Sequence, residues 1–120
     1  LPLLIKPDMP RRFFRFVIGD DALIDELLPL WKKVNAQVPA RVMQHRLKII
    51  NEIDVTLWLA KIKIPCCYFQ ALNDRLVPAS CAEIIKKTAP FVEIKKICAP
   101  HFILQTEPQA CLKAIEKFLV

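Results

Sequence analysis

The chain has 120 residues, enough for one modest core, and hydrophobic residues make up 54% of it and recur in every segment, which excludes intrinsic disorder. A single glycine, Gly19, rules out a phosphate-binding loop or a dinucleotide fingerprint, because both need glycine where backbone must turn tightly or approach a ligand. The net charge of +6 is dispersed over the cluster Arg11, Arg12 and Arg15 and over separate lysine pairs, a pattern of solvated faces that gives no support to nucleic-acid binding.

The first residues are apolar but interrupted by Pro2, Lys6, Pro7 and Asp8, so they lack the zones of a signal peptide. Residues 1 to about 60 read as helical, with proline interruptions. Phe13, Phe14, Phe16 and Trp31 suit either a core or the lining of a channel. After the acidic start Asp20-Asp21, which favours a helix N-terminus, Leu23, Ile24, Leu27, Leu28, Leu30 and Trp31 recur at helical spacing, and Pro29 is expected to kink or divide that helix. A second helix should begin after Pro39 and reach Ile53, with Val42, Met43, Leu47, Ile50 and Ile53 on its apolar side. His45 on this helix reads as a surface residue. Asp54 suits the N-cap of a short third helix holding Leu57, Trp58 and Ile62.

From Ile64 the rhythm changes. Pro65-Cys66-Cys67-Tyr68-Phe69-Gln70-Ala71 is a short apolar run of the kind found in a parallel strand covered on both faces. The loop Asn73-Asp74-Arg75-Leu76-Val77-Pro78 follows, and Ser80 is a reasonable N-cap for a helix through Cys81, Ile84, Ile85 and Thr88 that Pro90 ends. Val92 to Cys98 reads as a second strand, and Ala99-Pro100-His101 as the loop after it. Gln109 to Leu119 is a closing amphipathic helix with Cys111, Leu112, Ile115, Phe118 and Leu119 inward. Strand, helix, strand, helix describes a parallel βαβ unit with a right-handed crossover. Two parallel strands leave two open edges, so further strands are expected from an N-terminal half or a second chain.

No apolar run approaches the roughly 18 residues that span a bilayer. The cysteine count is five, an odd number without Cys-x-x-Cys spacing, which points to reduced thiols in a cytoplasmic protein. Cys98 and His101 could be imagined as a thiol and base pair or, with Cys66 or Cys67, as metal ligands, but a strand position would aim Cys98 by the pleat and not at the loop.

Asp74 and His101 each stand just past a strand, an acid followed by a histidine, 27 positions apart. With Leu59-Ala60-Lys61-Ile62-Lys63-Ile64-Pro65, Asn73-Asp74-Arg75-Leu76-Val77-Pro78 and Ala99-Pro100-His101, the block from Asp54 to Val120 resembles the C-terminal half of the α/β-hydrolase superfamily, in its small carboxylesterase and lipase-like branch. The resemblance implies an α/β fold: the C-terminal part of an α/β-hydrolase in residues 61–120, preceded by a helical cap or lid in residues 1–60. It implies that Asp74 is the acid and His101 the general base of a serine-hydrolase triad acting on a small acyl or ester substrate, with no cofactor and no metal. Several features depart from the family. Gly-x-Ser-x-Gly is absent, and the sole serine, Ser80, stands at an expected helix start; Ala71 and Ala99 occupy places where the family often has glycine. The nucleophile and oxyanion hole would lie outside these residues, so the 120 residues alone are not expected to turn over an ester. The rival reading is a non-catalytic interaction module built on a truncated hydrolase scaffold, and a third is association with anionic surfaces through the Arg11 to Arg15 cluster.

Overall fold

The computed structural model describes residues 9–120, so the signal-peptide reading of the first residues lies outside the described part. Over these residues the protein is mixed α/β, mostly helical, with one two-stranded parallel sheet. It divides into two compact units, one ending at Asp54 and the other spanning Val55–Val120.

The first unit contains α1 (Arg11–Val17), α2 (Asp21–Ala36) and α3 (Ala40–Glu52). Pro10, extended at its own position, starts α1, and Phe14 and Val17, one turn apart, are each 1% exposed. Phe14 packs edge-on against Trp31 with ring centroids 5.4 Å apart, whereas Phe16 is half exposed, so the aromatic residues divide between core and surface. The turn to α2 depends on Gly19 at φ 82, and Asp20 then caps α2 by accepting the Leu23 N–H at 3.0 Å. Arg11 and Arg15 are not a free cationic patch: Arg15 pairs with Asp21, and Arg11 with Asp21 and Asp25.

Pro29 does not divide α2, which continues to Ala36 around a fully buried Ile24. In α3 the expected apolar side is only partly covered: Val42, Met43 and Leu47 are half-buried, while Ile50 and Ile53 are exposed. A Cβ added at Gly19 would meet nothing within 4 Å, so Gly19→Ala is expected to cost the backbone penalty alone, about 1–2 kcal/mol. Its urea midpoint should fall accordingly, and an unchanged midpoint would mean that the left-handed turn is not maintained in solution.

The second unit contains α4 (Thr56–Leu59), β1 (Cys67–Ala71), α5 (Ser80–Thr88), β2 (Glu93–Ile97), α6 (Ile103–Thr106) and α7 (Pro108–Leu119). β1 and β2 are parallel, with Cys67 opposite Glu93 and Ala71 opposite Ile97. Cross-strand partners share a face, so Phe69 and Ile97 lie on one side, where Ile97, Ala99 and Cys111 of α7 form the core with Phe69, Ile103 and Ala110 around them. Burial pushes the Cys111 thiol up, as suits a cysteine used as a small hydrophobe, and all five cysteines are free. On the opposite face Tyr68 lies near enough to Cys81 of α5 for burial, Cys81 and Asp74 together to push its phenol up.

Several local expectations are corrected. Val55, not Asp54, is the N-cap of α4, which ends before Ile62 and packs against α5. Ala79 is already helical, so Ser80 is the first residue of α5 and its side chain caps nothing. β2 ends at Ile97, which leaves Cys98 outside the strand. In α7 the inner side is centred on Cys111, with Ala110, Ala114 and Phe118 half-buried, whereas Leu112 is 49%, Ile115 39% and Leu119 76% exposed. The inward side is therefore turned by about one residue, roughly 100°, from the one expected.

Candidate active site

Parallel pairing places the two loops side by side. Beyond the end of β1 the ladder is continued by Leu72 N–H to Ile97 C=O at 2.9 Å and Asn73 N–H to Ala99 C=O at 3.1 Å. These bonds tie the chain leaving β1 to the chain leaving β2, and the next residues on each side include Asp74 and His101. Both stand at the C-terminal ends of parallel strands, where open α/β sheets place their ligands.

Asp74 Oδ1 accepts the N–H of Leu76 at 2.8 Å and of Val77 at 2.9 Å, which folds the loop back over its own carboxylate. His101 Nδ1 is 3.0 Å from Oδ2 and 3.2 Å from Oδ1. The Asp74 side chain is 8% exposed and that of His101 31% exposed. The acid is thus held inside while the ring reaches solvent. Burial would by itself raise the Asp74 pKa, but the Val77 N–H, the His101 ring and the Leu76 N–H outweigh it and hold the carboxyl below its ordinary range. A carboxylate that stays ionised accepts Nδ1–H, which leaves Nε2 as the ring nitrogen with a free lone pair. Phe102 meets the ring edge-on at a centroid distance of 5.3 Å and helps fix its plane.

A lowered folded pKa means that this group's stabilisation is fully present above its unfolded value, about 3.9, and is lost as pH falls through the folded value. The wild-type chain should therefore lose urea stability more steeply than Asp74→Asn on acidification below about pH 4. Equal slopes in the two proteins would show that Asp74 is not held in this hydrogen-bonded state.

The sequence singled out Asp74 and His101, which the structure brings together, but missed what holds them. The Leu76 and Val77 amides had no side-chain signal, although an aspartate followed by a turn was a hint of them. Asn73 Nδ2 donates to Cys98 Sγ at 3.6 Å, a contact that joins the two loops a second time. Cys98 is exposed, and no hydrogen bond joins it or Ser80 to His101 among the described residues. Ser80 follows the loop 72–79 and no strand leads directly into it, so the strand, sharp turn and helix of a nucleophile elbow are not formed around it. No group of three or more histidine, cysteine, aspartate or glutamate side chains is placed to hold a metal among the described residues. Among those residues, too, no helix is long and apolar enough to cross a membrane. No family model matches this chain, and no curated protein matches it.

Proposed function

We propose that this chain is the cap region and C-terminal part of an α/β-hydrolase that cleaves esters or related acyl compounds, with Asp74 as the triad acid and His101 as the general base. The observation that carries the reading is the bond between buried Asp74 and His101 Nδ1 at 3.0 Å, beyond the ends of two adjacent parallel strands. In that role Nε2 takes the proton of a serine hydroxyl as the oxygen attacks the acyl carbon, then returns it to the leaving group. Water, activated by the same nitrogen, releases the acyl group. Asp74 keeps the required tautomer and stabilises the imidazolium without itself taking the proton.

The serine and oxyanion hole would come from the part of the fold that supplies the neighbouring strands. Among the described residues β1 pairs with β2 alone, and Leu57, Trp58, Ile64 and Leu72 are all more than half exposed, as expected where further elements should pack. The test is hydrolysis of a short-chain p-nitrophenyl ester. Residues 1–120 alone should be inactive, and the complete serine-bearing protein active and blocked by an organophosphate. Turnover by residues 1–120 alone, or none by the complete protein, would contradict the proposal.

A further inference from the structure

A groove of about 640 Å³ runs beside β2, lined by residues 94–98 of the strand and by Glu107, Ala110, Lys113, Ala114 and Lys117 at and along α7. Consecutive residues from both faces of the pleat line it and none from β1 does, so it follows the edge of β2 that faces away from β1. Among the described residues that edge has unpaired backbone. Glu93 N–H donates to Cys66 C=O and Ile97 C=O accepts from Leu72 N–H, both at 2.9 Å, so these residues face β1. Successive residues alternate, and Ile94 and Lys96 therefore direct their N–H and C=O groups to the groove.

The charge there is predominantly positive. Lys95 is paired with Glu93, but Lys96, Lys113 and Lys117 carry no ion pair among the described residues, and Glu107 is the sole acid in the lining. Ala110 and Ala114 lie one turn apart on α7 and lower its surface enough for a chain to lie between helix and strand. A second copy of this edge is a poor occupant, since pairing β2 with β2 would set lysine against lysine. A compact anion would meet the lysines but leave the strand edge unpaired.

We propose that this groove binds an extended acidic peptide segment, which adds a strand to β2 and sets its carboxylates against Lys96, Lys113 and Lys117. Backbone pairing supplies the register, and the lysines select against neutral and basic segments. The groove ends at Cys98, three residues before His101, so a bound segment would finish close to the acid and base loops. This inference does not depend on the catalytic reading, because neither Asp74 nor His101 lines the groove.

The experiment is fluorescence anisotropy on the full chain with a labelled peptide of alternating glutamate and valine about ten residues long, together with amide hydrogen exchange. The peptide should bind, weaken as salt is raised, and protect the Ile94 and Lys96 amides while leaving that of Lys95 unchanged. The pair Lys113→Glu and Lys117→Glu, both exposed on α7, should lower affinity about tenfold or more, with helicity by circular dichroism unchanged. A peptide N-methylated at alternate residues keeps its charge but not its strand pairing, and it should not bind. The proposal is overturned if neither peptide binds, if the N-methylated peptide binds equally, or if a lysine and valine peptide does. It is also overturned if phosphatidylserine vesicles bind through the same lysines while the peptide does not. Protection of the same amides by self-association, without peptide, would assign the edge to a second copy instead.

Discussion

Replacing His101 by alanine in the complete serine-bearing protein is expected to abolish ester turnover, by about 10⁴-fold or more, while leaving the fold intact. The size follows from the ring's position. Nε2 is the nitrogen that Asp74 leaves with its lone pair, and without it a serine hydroxyl has no acceptor for its proton during attack. Stability should change little by comparison, because the ring is 31% exposed and is not part of the core around Ile97 and Cys111. Asp74 does lose a partner, but its other oxygen keeps the Leu76 and Val77 amides. A variant that retains turnover within about tenfold would show that another residue is the base.

Asp74→Asn should be nearly as damaging to the reaction, about 10⁴-fold, and for a reason visible in the hydrogen bonds. The Leu76 and Val77 amides converge on one carboxylate oxygen, so they would retain the carbonyl end of the new amide. Its NH₂ group is then aimed at Nδ1, which must become an acceptor, and the ring proton moves to Nε2, where it blocks base catalysis. Long-range ¹H–¹⁵N spectra of residues 1–120 alone would report the tautomer directly. They are expected to show Nδ1–H in the neutral wild-type ring and Nε2–H in the variant. The same tautomer in both proteins would separate Asp74 from any orienting role. Asp74→Ala, which removes the acceptor of both loop amides as well, should in addition cost about 2–4 kcal/mol of stability.

Chemically distinctive residues beside simple strand patterns were the legible part of this protein. The apolar run through Phe69 and the run before Ile97 do form parallel strands, and the loops after them carry Asp74 and His101 as the spacing required. Proline was informative where it stands at a boundary. Pro108 opens α7, where its missing N–H costs nothing, yet Pro29 sits within α2 without dividing it. The four-residue α6 was not expected, because Ile103–Thr106 is too short for periodicity to register and has no side-chain cap. Thr106 Oγ1, which donates to Phe102 C=O at 3.0 Å, closes that turn by a bond that composition does not reveal. The inward side of α7 was misread for a different reason. Leu112, Ile115 and Leu119 make the more hydrophobic stripe, but the helix packs on Cys111 and the alanines beside it, since small residues let it approach β2 closely. The exposed stripe is as apolar as a core face, and sequence periodicity does not distinguish a covered face from one that awaits a partner.

The most direct test of the Asp74 and His101 assignment is to treat the complete protein with a fluorophosphonate and map the modified residue by mass spectrometry. The account predicts a phosphonylated serine outside these 120 residues, with the label lost in His101→Ala at unchanged circular dichroism. Label on Ser80, no label at all, or labelling undiminished by loss of His101 would contradict it.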